Sequence, residues 1–291
     1  MSGSKTVLDL AAWAAHYLPM PVKRLMYRIP PLAGLIRQSL NRAAPVGLTQ
    51  VEVAAGGLAG WRLWLDLQAE KDYWLGTYEP ELQATLSELI RPGRIAYDVG
   101  ANIGYISLLL ARRVGQSGQV FSFEALPANL ERLSANLALN ALGENVVVIP
   151  AAVVERERPV QFLVGPSGGM GKADGSAGRN DVAYSGTVDI DGLSLDTFVF
   201  EMGNPPPQVV KMDIEGGEVL ALPGMVRVLE QERPLLLLEL HGPEAAQVAW
   251  ETLTHRGYRL CRMTPGYPAV KTQQELDWKA YVVAFPSPSD E

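Results

Sequence analysis

Asp98 and Glu124 are the two acids whose setting in this sequence points most directly to chemistry. Asp98 closes the apolar run that starts at Ile95 and opens the turn Gly100-Ala-Asn-Ile-Gly104. Glu124 closes the next apolar run, Val120-Phe-Ser-Phe, twenty residues after Gly104. An acid in that position can accept hydrogen bonds from both ribose hydroxyls of an adenosine. The turn reads G-x-x-x-G and lacks the G-x-G-x-x-G spacing that lets backbone approach a pyrophosphate. A carboxylate in front of the turn also repels phosphate, and suits a cofactor carrying an amine or a positive charge. S-adenosylmethionine has the matching groups. Its carboxylate can meet the helix N-terminus, and its amino group or sulfonium can lie near Asp98. The plain alternative is that the glycines make only a tight connection.

A second group of polar residues follows later in the chain: Lys211, Asp213 and Glu215 in one stretch, Glu239 and His241 in the next. Methyl transfer from a sulfonium is an in-line displacement, in which the protein aligns the partners and keeps water out. A hydroxyl acceptor must also lose its proton. A carboxylate or imidazole base would serve, as would a divalent metal that acidifies the hydroxyl. Asp213, Glu239 and His241 are candidates for either role, with magnesium or manganese compatible and no spacing motif demanding a metal. Lys211 and Asp213 lie two apart and share a strand face. The alternatives are a Lys211–Asp213 ion pair, helix-start acids at Glu215 and Glu218, and a strand-end turn residue at His241.

The elements that must position these residues alternate between strand and helix. Runs 95–99, 120–124, 146–149, 208–213 and 235–240 read as buried strands, and 235–240 is apolar enough to be covered on both faces. Helices are expected from about Ile103 to Arg113, from Pro127, after Ile214 with a break at Pro223-Gly224, and from Pro243 to about Arg256. Segments 258–263 and 281–285, joined without a helix, predict a closing antiparallel pair. Earlier, residues 47–67 alternate with period two and predict two short strands, and Glu79-Pro80 opens a helix. Segments 159–164 and 182–190 form a β-excursion. Six of the sixteen residues between Gly165 and Asn180 are glycine, which suggests either a lid over an acceptor or a plain surface hairpin. Ser194 is placed to cap a short helix.

Composition narrows the classes. The chain has 291 residues, 47% hydrophobic, enough for one large α/β domain. The expected division is an N-terminal helical, basic extension at 1–46 and a cofactor-binding domain at 47–291 that begins with a small β segment, 47–78. The net charge of −7 argues against a nucleic-acid partner. Residues 1–50 carry six Lys or Arg and one acid, a net +5, leaving −12 for the remainder. Basic residues on an apolar helix can lie on an acidic membrane surface, and the alternative is a helical lid with solvated charges. One cysteine, Cys261, permits no internal disulfide. No apolar run reaches the roughly 18–20 residues that span a bilayer, and a signal peptide is not expected. A cytoplasmic location follows, with association at a membrane surface through the basic N-terminus as its variant.

The order of motifs resembles the FkbM family of S-adenosylmethionine-dependent methyltransferases, within the class I fold. The resemblance rests on Tyr78-Glu-Pro-Glu81, Asp98-Val-Gly-Ala-Asn-Ile-Gly104, Phe123-Glu124, Leu133-x-x-Asn136 with Asn140, Leu195-Asp196, Lys211-Met-Asp-Ile-Glu-Gly-Gly-Glu218 and Glu239-Leu-His-Gly242. It implies a Rossmann-like, seven-stranded, mostly parallel sheet with helices on both faces and an antiparallel C-terminal strand. It also implies cofactor contacts at Glu79, Asp98, Gly100, Asn102, Gly104, Glu124, Ala125, Ala152 and Asp213. Ala125 departs from the Glu-Pro usual in the family and sits on the adenine side. The reaction expected is O-methylation of a hydroxyl on a glycan, lipid-linked sugar or secondary metabolite. The alternatives are N-methylation, a nucleotide-dependent oxidoreductase, or a binding module without activity.

Overall fold

The structure of the protein is a computed structural model that describes residues 2–19, 22, 25–26, 28–165, 170–178 and 183–287. Cα packing divides the chain into two units, 1–87 with 138–141, and 88–137 with 142–291. The first unit thus extends to residue 87 and groups the β segment with the helices of 1–46.

The first unit contains α1 (Ser2–Tyr17), α2 (Pro30–Ala43), the antiparallel strands β1 (Leu48–Glu52) and β2 (Arg62–Asp66), the short α3 (Lys71–Leu75) and the start of α4 (Pro80–Leu89). Alternation in β2 buries Leu63 and Leu65 fully and leaves Arg62 exposed. Asn140 fastens β2 by bonding both backbone groups of Arg62, at 3.0 and 2.7 Å. Helix α2 opens with Pro30 and Pro31 in its first turn, where a missing N–H costs nothing.

The second unit is built on a seven-stranded sheet. Its strands are β3 (Ile95–Val99), β4 (Gln119–Phe123), β5 (Val146–Ile149), β10 (Val209–Met212), β11 (Leu235–His241), β12 (Tyr258–Arg262) and β13 (Lys279–Pro286), in the order β12-β13-β11-β10-β3-β4-β5. Pairs β11–β10, β10–β3, β3–β4 and β4–β5 are parallel, and β13 runs antiparallel between β11 and β12. This is the class I, Rossmann-like arrangement. The excursion forms a separate sheet of β6 (Ala152–Val153), β7 (Arg158–Val164), β8 (Gly171–Ala173) and β9 (Gly186–Leu193). Helices α5 (Tyr105–Val114), α6 (Pro127–Leu139), α7 (Glu218–Ala221) and α8 (Pro243–Thr254) connect the strands.

The two faces of the sheet differ. Tyr97, Phe121 and Phe123 pack on Phe198 with ring centroids 5.1–5.6 Å apart. Phe198 comes from the turn at Thr197–Glu201, which Ser194 caps by accepting the Thr197 N–H at 3.0 Å. The Tyr97 hydroxyl meets the Pro205 carbonyl at 2.7 Å, the partner that a buried phenol needs. On the other face, Asp98 lies opposite Ser122 of β4 and Lys211 of β10. Three polar side chains thus cross the middle of an otherwise apolar sheet. The chain order reverses between β3 and β10, and at such a point ligands bind beyond the carboxyl ends of the strands.

Candidate active site

Asp98 is fully buried, and its carboxylate is held by chain groups. Ser107, from the first turn of α5, donates to Oδ2 at 2.6 Å, and Ser122 donates to Ser107 at 2.9 Å. Oδ1 accepts no hydrogen bond and faces the Lys211 ammonium at 3.5 Å. Burial raises the Asp98 pKa, with Lys211 and Ser107 opposing it. Lys211 also donates to the Gly100 carbonyl at 3.3 Å and stands 4.0 Å from Asp213 Oδ2. The expected Lys211–Asp213 pair is therefore the longer of two, because parallel register sets Lys211 directly beside Asp98.

Glu124 is likewise engaged. It accepts backbone N–H groups from Asn102 at 2.7 Å, Ala125 at 3.0 Å and Leu126 at 2.8 Å, and the Asn129 amide at 3.3 Å. Burial raises its pKa against the pull of these donors. The Asn102 bond ties the end of β4 to the glycine turn, where Asn102 takes a left-handed φ of 50°. Ala125 packs against an apolar cluster that includes Ala152, Val154 and Ile190, which gives this side a smooth wall.

The glycines of the turn have separate duties. Gly100 has φ 82°, and a Cβ there would lie 2.0 Å from the Asp213 carbonyl oxygen. It allows the β3 turn and the end of β10 to touch. Gly104 has φ 91°, and a Cβ would meet Leu133 of α6 at 2.5 Å. Asn136 of the same helix donates to the Ile103 carbonyl at 2.8 Å. Together these contacts hold the loop closely against the end of β10 and against α6.

Asp213, Glu239 and His241 come together as expected. His241 lies 3.0 Å from Glu239 through Nε2, 3.9 Å from Asp213 and 3.8 Å from Glu218 through Nδ1, and 3.8 Å from Glu215 through Nε2. Burial pulls its pKa down. The carboxylates of Glu218 and Glu239, then Asp213 and Glu215, outweigh that and raise it to about 10. An upward shift of this kind favours the protonated ring and argues against His241 as the general base near neutral pH. Burial pushes Glu239 up, but His241 and Lys279 hold its pKa below the usual carboxylate range. Lys279, on β13, pairs directly with Glu239, and its own pKa is raised because Glu239 and Tyr281 more than offset burial. Asp213 is the most open of the three, with a side chain 19% exposed.

Several contributors had no motif. Ser107 and Ser122 were hidden inside an apolar helix and strand, though one polar residue at matching register in three strands was the signal. Lys279 and Trp278 belong to β13 and its approach. The Trp278 ring lies 6.2 Å from His241, and its carbonyl accepts the Gly242 N–H at 2.6 Å. The end of the glycine-rich segment also arrives here. Ala177 donates to the Gly216 carbonyl at 3.0 Å, and a Cβ on Gly216 would strike Ala177 at 2.2 Å. Buried Lys172 holds the Ala177 carbonyl at 3.2 Å. Residues 166–169 and 179–182 of that segment lie outside the described residues. Glu79 belongs to the first unit, where it precedes α4 with a left-handed φ of 43°.

A family model described as the methyltransferase FkbM domain matches residues 98–260. Over 186 residues the chain is 28% identical to the hexuronic acid methyltransferase AglP of Haloferax volcanii, covering 62% of this chain and 66% of that protein. Among solved structures it is similar to methyltransferase FkbM from Methylobacillus flagellatus KT, with a TM-score of 0.42 and 18% identity, over 89% of this chain and 60% of that one. It is similar also to precorrin-6y C5,15-methyltransferase from Geobacter metallireducens GS-15, with a TM-score of 0.42 and 16% identity, over 72% and 87%. The chain thus spans just under two thirds of the curated relative's length.

Proposed function

The chain belongs to the FkbM methyltransferase family, and from that premise we propose that it methylates a sugar hydroxyl in a glycan or lipid-linked saccharide that contains a uronic acid. The observation that carries this reading is the pair of unlike acids flanking Lys211. Asp98 is sealed in the sheet, while Asp213 opens towards the crevice with one oxygen turned to Lys211 and the other to His241. S-adenosylmethionine, when bound, supplies a methyl group activated on a sulfonium. The open glycine turn and the smooth Ala125–Ala152 wall fit it, as does Glu124, which can share its carboxylate with a ribose. Asp98 and Lys211 set the charge beneath that position. Asp213 then takes the acceptor's proton at Oδ2 as the new oxygen–carbon bond forms and the sulfur–carbon bond breaks.

The uronic acid is suggested by the activity of the Haloferax relative. A hydroxyl is favoured over an amine because the site supplies a carboxylate base. Family membership removes the oxidoreductase alternative. The test is transfer of labelled methyl from S-adenosylmethionine to uronate-containing saccharides, followed by mild alkali. Label that survives alkali is an ether and supports a hydroxyl acceptor. Alkali-labile label is a methyl ester and would transfer the reading to a carboxylate acceptor, which arrives without a proton to lose.

A further reading concerns the first unit. Leu10, Trp13 and Leu35 are 64%, 53% and 63% exposed on α1 and α2, and the surrounding sequence is strongly basic. We propose that these helices rest on an anionic lipid surface, where a lipid-linked acceptor would be found. No helix among the described residues is long and apolar enough to cross a membrane.

A further inference from the structure

We propose that Asp213, Glu239 and His241 bind one divalent cation at the mouth of the crevice. Three observations lead there. The first is geometric. One ligand atom from each residue lies within 4.8 Å of the other two. An ion with bonds of about 2.1 Å holds opposite ligands about 4.2 Å apart, so small side-chain rotations close the set. The second is charge. Asp213, Glu215, Glu218 and Glu239 surround the ring of His241 within 3.9 Å. Lys211 is taken up by Asp98 at 3.5 Å, which leaves His241 and Lys279 as the compensating cations. Even with His241 counted as charged, two negative charges stay uncompensated, the charge of one divalent ion. The third is unmet bonding. Glu239 Oε2, His241 Nδ1 and Glu218 Oε2 are buried and make no hydrogen bond, although Glu239 and His241 are 5% and 3% exposed. Buried polar atoms in native proteins nearly always have partners, and an ion would engage the first two directly, displacing to solvent the proton that the carboxylates otherwise hold on the ring.

The donor set also indicates the kind of ion. Two carboxylates and one imidazole are intermediate ligands, suited to manganese or zinc better than to calcium. Three protein ligands leave coordination positions free for substrate. Asp213 can serve the ion through Oδ1, on the His241 side, while Oδ2 stays turned to Lys211. The ion site rests on the proposed reaction only for its consequence: a uronate carboxylate entering so acidic a pocket needs a cation to meet it. Lys279, 47% exposed at its side chain, holds Glu239 at the rim.

The test uses the full-length protein, stripped with chelator and titrated with manganese. Loss of the free-ion paramagnetic resonance signal reports binding, and calorimetry gives the stoichiometry. One ion per chain is expected. Glu239→Gln and His241→Gln should each weaken binding tenfold or more, with the fold verified by circular dichroism. Lys279→Met removes the competing ammonium and should tighten binding, which keeps the site testable even where the other variants do not fold. Absence of stoichiometric binding by the folded wild type, or equal affinity in wild type, Glu239→Gln and Lys279→Met, would overturn the site. S-adenosylmethionine binding is measured on the same preparation: cofactor binding without manganese binding removes the ion site alone, and manganese binding without cofactor binding removes the methyltransferase reading alone.

Discussion

Lys211 separates two acids in different surroundings, Asp98 sealed in the sheet and Asp213 partly exposed. Its loss would strand the Asp98 carboxylate in the sheet interior. Taking away one partner of a buried ion pair costs about 3–5 kcal/mol, so Lys211→Met should lower unfolding free energy by that amount in urea denaturation. A change under about 1 kcal/mol, the scale of an ordinary hydrogen bond, would mean that Asp98 is neutral in the folded protein and that Ser107 alone satisfies it. Gly100 makes a second case. Gly100→Ala introduces a left-handed alanine, worth about 1–3 kcal/mol of strain, and also a contact at 2.0 Å with Asp213. It should both destabilise the protein and weaken S-adenosylmethionine binding in calorimetry, whereas a merely tight connection would lose stability and keep cofactor affinity. At this scale the sequence revealed which residues gather, because acids at successive strand ends must converge on one edge of a parallel sheet. It could not reveal that Glu124 would be engaged by four N–H groups or that four carboxylates would surround His241 and raise its pKa. Both facts depend on neighbours distant in the chain, such as Asn102 and Glu218.

Among the elements, the strands were the most legible. The apolar runs at 95–99 and 146–149 match β3 and β5, and the final two segments pair antiparallel as expected. Helix starts were less so: α5 begins at Tyr105, two residues after the expected point, because Gly104 keeps a left-handed φ. Local pattern could not group the β1–β2 hairpin with the N-terminal helices, since that depends on which neighbour covers Leu63 and Leu65. The helices α1 and α2 carry a prediction of their own. The full-length protein should sediment with vesicles containing phosphatidylglycerol and much less with pure phosphatidylcholine. Binding should fall as salt shortens the screening length from about 10 Å at 0.1 M. Trp13→Ala combined with Leu10→Ser should reduce it at least severalfold without changing S-adenosylmethionine affinity. Equal binding to both vesicle types, or none, would leave these helices as a protein-facing cover.

In the second unit the strand order reverses between β3 and β10, and the buried Asp98, Lys211, Glu239 and His241 lie on the strands around that point. In the proposed reading Gly100, Gly104 and Glu124 form the cofactor side, and Asp213, Glu239 and His241 the reaction side. That reading gives the two sides separate duties, so that loss of the base should leave the cofactor bound. The most direct measurement compares wild type and Asp213→Asn in two assays on the same preparations: S-adenosylmethionine affinity by calorimetry, and single-turnover transfer of labelled methyl to a uronate-containing saccharide. Affinity should be nearly unchanged, and the transfer rate should fall by about a hundredfold or more, the scale of general-base loss. A variant that binds the cofactor and transfers methyl at the wild-type rate would contradict this division of duties.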